Sequence, residues 1–266
     1  MKAWNGDPAL KAAQIEAVRS MTDATEVESI ADAAHRLGLP SWLAHTAETL
    51  MHGLPDDRAA QFPAVLLASI PVGADLALAK SQFIVAALSS GLDLAPKNRP
   101  AKLARALWAL GKPGDADWPR DLKRATSAAR QAEKAGGIQV RANERAAGRA
   151  NTVAMRASVE RLLASHVVAW QVAEAALCAC SPRADAVARM MAPLCLAAAA
   201  SAWGVEIAKL SPSKAKGTGT TREQVAAAAA QWPALTPEAE AVAVKAHADA
   251  CTYLATVLLN ILGGAT

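Results

Sequence analysis

Tyrosine and phenylalanine are nearly missing from this chain: Tyr253 is the one Tyr, and Phe62 and Phe83 are the two Phe, among 266 residues. Strands draw on β-branched and aromatic side chains, and no stretch alternates apolar and polar residues over strand length. A mainly sheet architecture is therefore excluded. The phosphate-cradling and nucleophile signatures are missing as well. There is no G-x-S-x-G, P-loop or G-x-G-x-x-G, and Gly217-Thr218-Gly219 follows no strand. Zinc-type C-x-x-C spacing is absent. The four cysteines, Cys178, Cys180, Cys195 and Cys251, all lie in apolar, Ala-rich stretches and read as small reduced core residues, the pattern of a reducing cytoplasm. Cys178 and Cys180, two apart, diverge on a helix. The first residues hold no apolar run of signal-peptide type. The uncharged stretches Met190 to Val205 and Ala250 to Thr266 fall short of the roughly 20 residues a bilayer span needs, so no membrane is expected.

What is abundant is alanine, the best helix former, together with clear helix punctuation. Asp7-Pro8 reads as N-cap and first helical residue. Thr25-Glu26-Val27-Glu28 is a capping box closed by Gly38. Pro40 opens a helix that Gly53 ends. Asp56 and Asp57 follow a turn and suit an N-cap. Pro63 and Pro193 should each kink or split their helices. Asp75 caps a helix to Ser89, and Gly91 to Arg99 reads as the first long loop. Pro100, Pro119 and Thr236-Pro237 open later helices, and one long helix runs from about Ile138 toward Cys180. The expectation is an all-α, multi-helix bundle of about nine or ten helices in two helical subdomains. Residues 1–96 form an acidic one; residues 97–266 form a C-terminal bundle with a basic segment at 97–161 and a flexible loop at 211–220.

The formal net charge of +4 conceals an asymmetry: residues 1–96 carry −5, residues 97–161 carry +9, and residues 162–266 are neutral. Arg141, Arg145 and Arg149 recur every fourth residue and so stack on one helix face, with Arg156 further along. Like charges so placed repel. Three things could compensate: solvent with partial pairing to residues 1–96, an acidic protein or nucleic acid, or a phosphate-bearing small ligand. Aromatic interleaving of the kind that reads single strands is thin, with only Trp108 and Trp118 nearby.

Weighed one by one, the candidate chemical groups give no catalytic set. His45, Glu48 and His52 form H-x-x-E-x-x-x-H, whereas a zincin helix needs ligands four apart. His247 and Asp249 are too close to face each other on a helix, and His166 and Glu174 lie two turns apart on an apolar stretch. No metal or cofactor is expected from these spacings. The seven Trp residues read as anchors of helix packing.

Three short stretches carry a resemblance: Gly38-Leu39-Pro40-Ser41-Trp42-Leu43-Ala44, Gly53-Leu54-Pro55-Asp56-Asp57-Arg58-Ala59 and Ile70-Pro71-Val72-Gly73-Ala74-Asp75-Leu76. With the opening Trp4-Asn5-Gly6-Asp7-Pro8-Ala9-Leu10-Lys11, they resemble a group of uncharacterised Ala-rich bacterial and phage-borne helical proteins. That group shares G-[IL]-P-x-x-L-A, G-L-P-x-x-R-A and I-P-x-G-A-D-L. The resemblance spans roughly the first 90 residues and implies an all-α fold and a link to mobile elements, but no activity. Relatives carry a Cys- and His-containing segment upstream of G-[IL]-P; Met21 to Ala34 contains neither residue. The sequence thus points to a non-catalytic binding protein engaging an anionic host macromolecule, with Arg141, Arg145, Arg149 and Arg156 on the contact face. The alternatives are a helical enzyme or small-molecule binder with an inter-helix pocket, and a structural homo-oligomer.

Overall fold

The computed structural model describes residues 2–20, 34–94, 153–179, 181, 183–210 and 237–265, with the isolated positions 127 and 131. Among these residues the regular structure is all helical, with no strand. A 3-10 turn, Ala3–Gly6, precedes α1 (Pro8–Ser20), α2 (Ser41–Gly53), α3 (Asp56–Ser69), α4 (Ala77–Leu94), α5 (Val153–Ala179), α6 (Ala186–Leu210) and α7 (Pro237–Gly263).

The punctuation has visible causes. Asp7 Oδ1 accepts the Ala9 N–H at 2.8 Å and Asp75 Oδ1 accepts the Ala77 N–H at 3.0 Å, each satisfying a donor that a helix start leaves free. Gly38, at φ +67°, ends its helix through paired bonds from Leu39 N to Ala34 O (2.8 Å) and from Gly38 N to His35 O (3.3 Å). Asp56 and Asp57 do not cap: Pro55 holds that position, and the two carboxylates sit in the first turn of α3, where they complement the helix dipole.

Neither proline splits its helix. Pro63 lies inside an unbroken α3 and Pro193 inside an unbroken α6. A helix-interior proline costs about 3 kcal/mol. Burial on both sides offsets it, since each large apolar side chain removed from water contributes about 1.5–3 kcal/mol. Phe62, Leu66 and Leu67 are buried around Pro63, and Met190, Met191, Leu194 and Cys195 around Pro193. The loop expected from Gly91 also starts later, because α4 continues to Leu94. A Cβ at Gly91 would collide with Leu194, so glycine here lets α4 lie close against α6 rather than ending the helix.

α6 is the hub and packs on α5, α7, α2 and α4, while α1 lies on α3. One cluster of buried residues joins the first 88 residues to α5, α6 and α7. The Gly38 turn and residues 70–74 meet the N-terminal turn. Trp4, fully buried, donates its indole N–H to Ile70 O at 3.1 Å. Its backbone N–H reaches Leu37 O at 2.8 Å, and Ala3 exchanges bonds with Ala74 and Gly73. Trp4, Asn5 and Gly6 are consecutively left-handed (φ 60°, 51° and 78°), a conformation that costs roughly 1–2 kcal/mol per non-glycine residue. Lys11 spans the seam, donating to Ala68 O (2.8 Å) and Ile70 O (2.7 Å).

The helical windows Ala186–Gly204 and Ala241–Gly263 are 19 and 23 residues long and apolar enough, by length and composition, to cross a bilayer. They exceed the uncharged stretches read from sequence because a lone Arg189, or Lys245 with Asp249, does not end an apolar helix. Of the basic face, Arg141, Arg145 and Arg149 lie outside the described residues and Arg156 falls on the α5 backbone; the 211–220 segment also lies outside.

Candidate metal centre

α6 and α7 face each other, and their contact brings together three residues remote in sequence. His247 and Cys251 are four apart on α7, so they share one face. Cys195, two residues beyond Pro193 on α6, meets them from the opposite side. One ligand atom from each of the three lies within 4.8 Å of the others. Cys195 Sγ is 3.1 Å from Cys251 Sγ, and Cys251 Sγ is 3.9 Å from His247 Nδ1. Both thiols are buried and the imidazole is half-buried.

The end of α2 forms the third wall. Gly53 packs directly on Cys251, and a Cβ there would overlap the sulfur. A cavity of about 210 Å³ opens beside the cluster, lined by Thr49, His52 and Gly53 of α2, Met191 and Cys195 of α6, and His247 and Cys251 of α7. Thr49 donates to His45 O at 3.0 Å, and the exposed His52 lines the cavity from α2 but stands outside the group of three ligand atoms.

The electrostatics of the pair are asymmetric. Either sulfur can donate in this contact; with Cys195 donating, the bond stabilises a thiolate on Cys251 and holds its pKa below the usual value, against the opposing effect of burial. The same bond, together with burial, pushes Cys195 up. Cys178 differs: burial, followed by the nearby Glu174 carboxylate, raises it to about 11.

Two thiolates and an imidazole are the donor set of soft and borderline transition metals, Zn²⁺ above all. Zn–S bonds of about 2.3 Å set a tetrahedral S···S edge of roughly 3.8 Å, within reach of the observed 3.1 Å by small rotamer changes. This is the one such group among the described residues.

Reading the cysteines as buried holds for Cys195 and Cys251, while Cys178 is half-buried and Cys180 lies outside the described residues. Their chemistry was missed. The H-x-x-x-C spacing of His247 and Cys251 was a usable signal, since ligands four apart share a helix face. It was obscured by weighing His247 against Asp249, which instead pairs with Lys245 at 2.6 Å. Cys195 offers no local signal. Of the histidines on α2, His52 reaches the cavity, whereas His45 sits 4.0 Å from Glu48. No family model, no curated protein and no solved structure matches the chain.

Proposed function

We propose that the protein is a non-catalytic, metal-binding helical protein in which Cys195, Cys251 and His247 hold one zinc ion between α6 and α7. The carrying observation is the convergence of three soft ligands within 4.8 Å beside a cavity. His52 lines the same cavity from α2, outside the 4.8 Å group, and takes the fourth position by rotating its side chain inward. Four protein ligands leave no open site for substrate or water, which is the arrangement of structural rather than catalytic zinc. The ion then clasps α2 to α6 and α7, and its binding free energy becomes folding free energy. This is the inter-helix pocket reading, narrowed to an inorganic ligand.

The test is titration of the metal-free chain with Zn²⁺, followed by elemental analysis, and with Co²⁺, followed by absorption. One equivalent should bind, with intense thiolate-to-cobalt bands. At a hundredfold excess over Kd, stability should rise by about 2.7 kcal/mol, and Cys251→Ser should abolish the rise. His52→Ala should keep the thiolate bands and alter the d–d bands as solvent replaces the imidazole. A wild-type chain that stays metal-free under reducing conditions would remove the proposal.

A second reading rests on the +9 charge of residues 97–161. Arg141, Arg145, Arg149 and Arg156 form a contact face for an acidic protein or nucleic acid in the cytoplasm, in the reading that carries a two-subdomain bundle of nine or ten helices. Its signature is binding that weakens steeply with salt and is lost when these arginines become Glu. The likeness of the first 90 residues to phage-borne proteins makes a host macromolecule the natural partner for this face.

A further inference from the structure

The spacing of the two thiols suits a second state. At 3.1 Å the sulfurs are roughly 1 Å from disulfide bonding distance and some 0.7 Å from the edge of a zinc tetrahedron. Cys195 and Cys251 sit on facing helices, so either state is reached by small movements of two short side chains. Both line the cavity, whose mouth carries the exposed His52, and about 210 Å³ admits a small oxidant. We propose that Cys195 and Cys251 are also a dithiol–disulfide couple that a peroxide oxidises, and that oxidation expels the zinc ion. The inference rests on the zinc reading for the expulsion, but not for the couple.

The chemistry balances without a further reactant. The Cys251 sulfur attacks one peroxide oxygen; the O–O bond breaks, hydroxide leaves, and Cys251 becomes a sulfenic acid. His247, 3.9 Å from that sulfur, takes the proton when the attacking group starts as a thiol and returns it to the leaving hydroxide, which departs as the first water. The Cys195 sulfur then attacks Cys251 Sγ, forming the S–S bond and releasing the second oxygen as water with the Cys195 proton. Two electrons have left the sulfurs and reduced one peroxide to two waters. A disulfide cannot supply two thiolate ligands, so His247 and His52 alone remain, and two imidazoles do not complete the zinc site. A thiol reductant reverses the couple and restores the ligands. Cys178 lies outside the cavity lining, with its thiol donating toward Glu174 Oε1 at 3.9 Å, and so serves as an internal control.

The test treats the full-length chain, zinc-loaded and metal-free in parallel, with one equivalent of hydrogen peroxide. Readouts are released zinc, intact mass and peptide mapping. Expected are the loss of two hydrogens per chain, a Cys195–Cys251 cross-linked peptide, an unmodified Cys178, one zinc released per cross-link, and full rebinding after reduction. Cys195→Ser should trap Cys251 as a sulfenic acid that a dimedone probe labels, with folding checked by circular dichroism. Zinc that binds and then leaves without this cross-link, or oxygen added to separate cysteines, overturns the inference and leaves the zinc reading intact. A cross-link in a chain that never binds zinc supports the couple and overturns the expulsion together with the zinc reading.

Discussion

The N-terminal seam and the α6–α7 cluster are both buried, and they treat their polar groups in opposite ways. At the seam the strong donors that face inward are matched: the Trp4 indole finds Ile70 O, the Asn5 amide finds Arg36 O, and the Lys11 ammonium finds two carbonyls. Even the cost of a left-handed Trp4 is met by a full set of backbone bonds. At the cluster, two thiols and an imidazole have only soft sulfur contacts with one another, a close one at 3.1 Å between the sulfurs and a long one at 3.9 Å to the imidazole. A buried region whose polar groups are saturated holds the fold, while one whose ligands face a cavity with only each other for partners is built to receive something.

That contrast can be broken most decisively at Trp4. Trp4→Ala should cost about 3–5 kcal/mol of folding stability in denaturant titration, from cavity creation and the loss of the seam. The zinc stoichiometry of the chain that remains folded should be unchanged. A parallel loss of zinc would mean that the two regions are one unit.

The next largest effect sharpens the comparison among the thiols. With its pKa raised to about 11, Cys178 should carry roughly a hundredfold less thiolate at pH 8 than an ordinary cysteine. Its alkylation by iodoacetamide should slow to match, and Glu174→Gln should restore part of the rate. Because the folded pKa exceeds the unfolded one, this thiol's contribution to stability is present below about pH 9 and is lost as pH rises toward 11. Equal alkylation rates in folded and unfolded chain would show that Cys178 is not held in this environment.

The smallest effect probes the wall of the cavity. Gly53→Ala places a methyl group against the Cys251 sulfur and should cost about 1–3 kcal/mol by overpacking. The decisive readout is the cobalt spectrum, which should shift because the displaced group is a ligand. An unchanged spectrum with unchanged affinity would argue that Cys251 does not face a metal.

Much of the architecture was readable in advance because its signals are local. Asp7, Gly38 and Asp75 act through bonds within a few residues of themselves, and those bonds are present. The expectation that Pro63 or Pro193 could split a helix failed for the same reason. Pro63 and Pro193 are strong local breakers, but the burial of their neighbours is decided by helices far along the chain. At the candidate centre, the His247–Cys251 pair was visible as a spacing, whereas Cys195 was visible only as one more apolar-environment cysteine.

The amino-acid order by itself determined that this chain is helical, where several helices start and stop, and that Cys195 and Cys251 are buried. The helices follow from backbone propensity and from hydrogen bonds that close within one turn, and the cysteine burial from the apolar stretches that carry them. Only the tertiary structure decided that α6 passes unbroken through Pro193 and that α6 and α7 pack in the register placing Cys195 opposite His247 and Cys251. That register depends on side-chain interlocking between surfaces more than fifty residues apart. A one-turn slip of either helix would move a sulfur by about 5.4 Å and dissolve the site without altering a single local signal.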